Sequence, residues 1–257
     1  MILSKRVALG GVQLDELNDW IVIKSIDPGV PKEAISAVDR MGGWGQRVTM
    51  QHWQTLEVSV TYGIDIPKRE MALRRQIFDQ VNAWAMRKGW LTVNWMPGKR
   101  MYVDKVVLPG SGDMWNWTSD YTITFRAYGI PFWQDELPAQ GVSGTAASGR
   151  VWVQASGNTD TVLDVSFKNM SGMRINNFWV ETKGQRITLG ALNMGGSATL
   201  TISHRTDGLL QMKVGGTDVY SKYTGANDLI VSPGATAVDF GADRAGVLTV
   251  QAYGRWI

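Results

Sequence analysis

Apolar and polar positions alternate along most of this chain. Leu56, Val58, Val60 and Tyr62 are interleaved with Glu57, Ser59 and Thr61. Trp115, Trp117, Tyr121, Ile123 and Phe125 are interleaved with Asn116, Thr118, Asp120, Thr122 and Thr124. A period of two sends the apolar side chains to one face of a strand, so both stretches read as half-buried strands. Over residues 67–88 the period lengthens: Leu73, Ile77, Val81 and Trp84 fall on one helical stripe, widened by Phe78 and Ala85. Asp65 and Pro67 supply a capping carboxylate and a first-turn proline, and Gly89 follows Arg87-Lys88 as a stop. The strings WLTVNW and MYVDKVVL flank Met96-Pro97-Gly98-Lys99, which predicts a hairpin over residues 90–108.

Residues 27–46, DPGVPKEAISAVDRMGGWGQ, show neither period and read as a loop, with a short helix over residues 32–38 as the alternative. A loop of about 20 residues in a compact domain is uncommon and is usually functional. Contact with another chain is the expectation here. Arg40, Met41 and Trp44 are the expected contributors, because Arg and Trp bury large areas at interface centres while keeping a polar handle.

After Trp133 comes QDELPAQGVSGTAASGR, a segment with little to bury that reads as a linker. The remaining strings VWVQAS, TVLDVSFKN, FWVETK, QRITLG, ATLTISH, LLQMKV, DLIVS, AVDFG and VLTVQAY are separated by Gly, Asn, Asp and Ser. They predict a β-sandwich of many short strands. Most of the tryptophans lie before this point. The predicted organisation is a first domain over residues 1–134, a linker over 135–148 and a second domain over 149–257. The fold class is mainly β, with one α-helix in the first domain.

Composition changes this picture by exclusion. The chain has no cysteine, which removes disulfides, zinc–cysteine sites and thiol catalysis. A net charge of +3 over 257 residues, with no long basic run, argues against a dedicated nucleic-acid binder. No apolar run approaches a membrane span, and MILSKRVALGG lacks a signal-length apolar core, so a protein made and folded in a cytoplasm is expected. His52 and His204 are the two histidines, and neither has a second ligand at metal spacing. No Gly-x-Ser-x-Gly elbow occurs, and GSGDM at residues 110–114 lacks the strand-to-helix setting of a phosphate loop. Asp104 with Asp113 or Asp120 is the one carboxylate pairing to weigh for glycosidase chemistry. Carboxylates that bound strands are usually solvated, so no catalytic residue, cofactor or metal is expected. Trp179, Glu181 and Arg186 lie around a turn at Lys183-Gly184-Gln185, an indole with polar partners that suits sugar contact. Such a strand tryptophan serves a core or an interface more often.

Taken in order, WLTVNWMPGKRMYVDKVVLP after an amphipathic helix, then SDYTITFRAYGIPFWQDE, then the terminal AYGRWI resemble the distal tail proteins of long-tailed, non-contractile bacteriophages and prophages. The resemblance covers nearly the whole chain. It implies a first domain related to phage tail-tube proteins, assembled as a hexameric ring around a DNA channel, and a galectin-like second domain. The implied partners are other copies of the chain, the tail-tube protein, the tail-tip protein and a receptor-binding protein. DNA would pass through without specific binding, and no membrane insertion is implied. The implied location is the phage tail tip, after assembly in the host cytoplasm. Larger relatives carry sugar-binding insertions or a long arm, for which residues 148–257 leave no room. A two-domain carbohydrate-binding protein is the alternative. The repeated AYG, at residues 127–129 and 252–254, is read as the end of the last strand of each domain, with the aromatics beyond it packing the chain exit.

Overall fold

The strands at 56–64 and 121–127 and the helix between them form the centre of the first of two units into which the chain divides, Met1–Trp133 and Gln134–Ile257. A computed structural model describes residues 5–39, 46–67, 70–110 and 120–257. The first unit contains β1 (Val7–Leu9), β2 (Val12–Gln13), β3 (Ile21–Asp27), β4 (Glu33–Asp39), β5 (Gln46–Trp53) and β6 (Leu56–Ile64). These are followed by α1 (Met71–Ala85), β7 (Gly89–Val93), β8 (Lys99–Val103), β9 (Lys105–Val107) and β10 (Tyr121–Ala127), while β11 (Trp133–Asp135) straddles the division. One sheet runs β3-β6-β10-β9, the strands β2-β1-β7-β8 are neighbours in another, and β4-β5 form a separate ribbon.

In the antiparallel pair β6-β10, Tyr62 faces Tyr121, Val60 faces Ile123, Val58 faces Phe125 and Leu56 faces Ala127, and all eight are buried. The opposite face is polar: Thr61 and Thr122 hydroxyls lie 3.0 Å apart, and Arg126 pairs with Glu57 at 2.8 Å. Helix α1 buries Ile77, Phe78, Val81, Trp84 and Ala85. Phe78 meets Tyr121 edge-on at 5.1 Å and Trp84 meets Phe125 at 5.9 Å, so the apolar stripe packs on the apolar strand face. The helix is shorter than its periodicity suggests. Its N-cap is Glu70, with no side-chain cap bond, so Asp65 is not the capping carboxylate.

Two further stretches depart from the sequence reading. The hairpin at 96–99 is present, with Gly98 at φ 70° and the Lys99 N–H donating to the Met96 carbonyl at 3.1 Å. MYVDKVVL, however, divides at Asp104. The Asp104 carboxylate accepts the N–H groups of Tyr128 (2.6 Å) and Gly129 (3.0 Å), and its own N–H donates to the Arg126 carbonyl, so the chain turns and β9 joins β10 in the other sheet. Within residues 27–46, Glu33–Asp39 is a strand, neither loop nor short helix. Glu33–Asp39 pairs with Gln46–Trp53, Glu33 facing Trp53 and Asp39 facing Gln46, with a bulge between Ser36 and Ala37.

The second unit contains β12 (Ala139–Val142), β13 (Ala146–Ala155), β14 (Thr161–Asn169), β15 (Phe178–Thr182), β16 (Gln185–Leu189) and β17 (Thr199–His204). After these come β18 (Leu210–Val214), β19 (Thr217–Asp218), a 3-10 turn at Tyr220–Lys222, β20 (Tyr223–Gly225), β21 (Ile230–Val231), β22 (Gly234–Ala252) and β23 (Arg255–Trp256). The runs AVDFG and VLTVQAY are one strand. The first half of β22 pairs with β13 and β15, and the second half with β12 and β14, so a single bent strand serves both layers of the β-sandwich. Between the layers lies one core that includes Phe167, Phe178, Phe240, Val165, Ile202 and Leu248. Phe167 stands 4.9 Å from Phe178.

Residues 135–148, read as a linker, are largely strand. Gly141 pairs with Val250, and a Cβ there would lie 2.3 Å from the Trp152 carbonyl. The small side chains of this segment permit close approach between strands; they do not mark flexibility. Each AYG ends a strand, β10 at Ala127 and β22 at Ala252, but not the last one, since β11 and β23 follow. In each case a later tryptophan is anchored by its indole N–H, Trp133 to the Pro28 carbonyl (3.0 Å) and Trp256 to Asp135 Oδ1 (2.8 Å).

Candidate functional site

Two surfaces stand out, one in each unit. In the first unit the β4-β5 ribbon leaves its apolar residues uncovered: Ile35 is 56% exposed, Val38 53%, Val48 52% and Met50 59%. A two-stranded ribbon has no second layer to bury them, and the four lie two on each face, Ile35 with Val48 and Val38 with Met50. The base of the ribbon is fixed. The Gln54 N–H donates to the Lys32 carbonyl at 2.7 Å, and Trp53 meets Phe132 edge-on at 5.1 Å. Beside it Gly29, at φ 62°, lies so close to β6 that a Cβ would sit 2.0 Å from the Glu57 carbonyl oxygen. A groove of about 960 Å³ opens here, lined among others by Asp27, Lys32, His52, Gln54, Glu57 and Tyr128. Arg40, Met41 and Trp44 lie outside the described residues.

In the second unit, Trp179, Glu181 and Arg186 do come together. The tight turn is Lys183-Gly184 (φ 49° and 76°), because Gln185 already pairs with Thr182. Two residues with positive φ form the hairpin turn whose twist matches the strands. Glu181 faces Arg186 across the hairpin, their charged groups 3.8 Å apart, and the Arg186 guanidinium lies 4.2 Å over the Trp179 ring. The rank extends across two more strands. Glu181 faces Asp239, and Asp239 faces Arg150, which grips it through two bonds of 2.7 and 2.9 Å. Two carboxylates opposite each other repel, and an arginine at each end of the rank offsets this. The hydrogen bond from Arg150 holds the Asp239 carboxyl below its ordinary 3.8. A shallow groove of about 600 Å³ runs over Arg150, Trp179, Glu181 and Asp239. The indole lies against Gly241, where a Cβ would come within 2.4 Å of Nε1.

Asp104, Asp120 and His204 are held in structural contacts. Asp104 caps the β10 exit, Asp120 is paired with Lys24, and Asp113 lies outside the described residues, as does most of GSGDM. His52 is an exposed ribbon residue. His204 is bracketed by Asp164 and Asp228, partners 40 and 24 residues away that no local pattern announces. Among the described residues, no group of three or more His, Asp or Glu side chains is placed to hold a metal ion, and no helix is long and apolar enough to cross a membrane.

No protein-family model and no curated protein matches the sequence. Solved structures match. The SPP1 Dit (gp 19.1) protein, described as a paradigm of the hub adsorption apparatus in phages that infect Gram-positive bacteria, aligns with a TM-score of 0.64 at 13% identity, covering 96% of this chain and 98% of that chain. This chain has the fold of a phage Dit protein. Two structures of the phage p2 baseplate in its activated conformation also align. The one with Sr has a TM-score of 0.46 at 10% identity and the one with Ca 0.49 at 9%, each covering 96% of this chain and 97% of that chain. On the Dit fold, the exposed ribbon belongs to the first unit and the charged rank to the second.

Proposed function

We propose that this chain is a structural hub of a phage tail. In this reading six copies form a ring at the distal end of a long non-contractile tail, joining the tail tube to the tail tip and leaving a channel for DNA. Its working partners are other copies of itself, the tail-tube protein, the tail-tip protein and a receptor-binding protein, and its place is the virion, after assembly in the host cytoplasm. The observation that carries the reading is the likeness to SPP1 Dit along almost the full length of both chains. The uncovered apolar side chains on both faces of β4-β5 support it, because such side chains suit burial against a neighbouring copy. Repeated head-to-tail use of one contact closes a ring when the rotation permits. The mechanism is geometric, and no group needs to react.

The carbohydrate-binding alternative draws on Trp179, Glu181 and Arg186. A sugar stacks on an open aromatic face, and here the guanidinium of Arg186 already covers the indole. The hub reading therefore ranks first. Light scattering and negative-stain imaging of the full chain test it. Six-fold rings are the expected result; a folded monomer that persists at high concentration, and in the presence of tail-tube protein, overturns it.

A further inference from the structure

In the second unit a single imidazole lies between two carboxylates. His204 closes β17, and its side chain is only 6% exposed. Nδ1 lies 3.2 Å from Oδ1 of Asp164 in β14, and Nε2 lies 2.9 Å from Oδ1 of Asp228, just before β21. The same Asp164 oxygen accepts the backbone N–H of His204 at 2.9 Å, which fixes that carboxylate in place. A neutral imidazole has one N–H, so it serves one carboxylate and turns a lone pair on the other. The imidazolium donates to both.

The surrounding charges favour the imidazolium. Asp164 and Asp228 act on His204, and the same two, with Asp160, act on Arg255. Tyr223 faces Asp228 electrostatically, and its hydroxyl bonds the Ala226 carbonyl at 2.6 Å and Asn227 Oδ1 at 3.1 Å. The neighbouring Arg205 is engaged by Asp207 at 2.9 Å.

We infer that His204 is a proton-operated clamp. Protonated, it fastens the 226–229 segment, through Asp228, to β14 and β17; deprotonated, it donates to one carboxylate only and turns a lone pair on the other, so the tie between the segment and these strands is weakened. The segment's other ties are the Ala226 N–H to the Arg186 carbonyl (2.8 Å), the Leu163 N–H to the Leu229 carbonyl (2.9 Å), the buried Leu229 side chain, the contacts of Tyr223 and the charge of Arg255 acting on Asp228. Burial by itself lowers the His204 pKa, but the hydrogen bonds to Asp164 and Asp228 and their charges outweigh it, and the net shift is upward from 6.5. A base whose folded pKa is raised contributes stability that is complete below the unfolded value and is lost as pH rises through the folded value. The clamp is therefore shut in acid and loosens toward alkaline pH.

The test uses the full chain. With two histidines in the sequence, His52→Gln leaves His204 as the single imidazole signal in an NMR titration. The expected midpoint lies above 6.5, and Asp228→Asn lowers it. Amide exchange, corrected for intrinsic rates, should show protection in residues 223–231 falling by up to about tenfold per pH unit through the transition, while the β13-β22 core holds. Asp228→Asn changes a half-exposed residue and does not depend on His204→Gln folding. A midpoint at or below 6.5, a midpoint unmoved by Asp228→Asn, or protection in 223–231 that follows the rest of the unit at every pH overturns the proposal.

Discussion

Tyr62 and Tyr121 put two phenols inside the first unit, their rings 5.4 Å apart, and neither hydroxyl has a hydrogen-bond partner among the described residues. A buried unpartnered hydroxyl costs about 1–3 kcal/mol, whereas the ring around it is strongly stabilising. Tyr62→Phe is therefore expected to leave stability unchanged or raise it, and Tyr62→Ala to cost about 3–5 kcal/mol in urea unfolding. The pH dependence separates the two effects. Burial first, and Tyr121 second, push the Tyr62 pKa above 10.0. The folded state thus favours the neutral phenol, and the associated stability is present below the unfolded value near 10.0 and lost as pH rises past it. Tyr62→Phe should lessen the alkaline loss; an unaltered alkaline unfolding curve would place the sensitivity elsewhere. At this scale the sequence was informative where a residue belonged to a periodic pattern. Tyr62, Trp84 and Phe125 were legible as core from their spacing. Asp164, His204 and Asp228 were not, because their meeting depends on sheet order rather than on any interval along the chain.

Among the elements, α1, β6 and the hairpin at 96–99 were legible because each buries one face, and burial writes a period into the sequence. Among its described residues the β4-β5 ribbon leaves large apolar side chains exposed on both faces, so β4 carried no such period and read as part of a loop. The small residues of 135–148 read as flexible when they serve close strand approach at Gly141. What hid the ribbon also predicts its behaviour: side chains left more than half exposed in the protomer contribute little to its stability. Replacing Ile35 and Met50 together by serine should shift protomer stability by no more than about 0.5 kcal/mol. If the ribbon is a contact between copies, the same change should weaken assembly at least about tenfold, read by analytical ultracentrifugation. Unchanged assembly beside unchanged stability would assign the ribbon to some other partner.

For the whole molecule, the two-unit division predicts a division of labour. Each unit has about the length of an ordinary domain and its own set of buried side chains. The second unit's core runs continuously from Val151 to Ala252, with few large aromatics left uncovered. The first unit carries the apolar ribbon. A fragment ending at Gln134 is therefore expected to assemble, and a fragment from Gln134 to Ile257 to fold as a monomer. The position of the cut matters. Trp133 belongs with the first piece, since its indole bonds the Pro28 carbonyl. Asp135 belongs with the second, since its carboxylate takes the Trp256 indole N–H and the Ser156 hydroxyl, and its own N–H bonds the Gly254 carbonyl at 3.0 Å. Cutting after Asp135 would strip the second piece of the anchor for its C-terminal strand, and that piece should unfold at lower temperature than one beginning at Gln134. Circular dichroism establishes that each fragment is folded, and light scattering then reads its mass. A folded, monomeric first fragment beside an oligomeric second one would move the ring and its channel to the β-sandwich, and the exposed ribbon would need a partner other than its own copy.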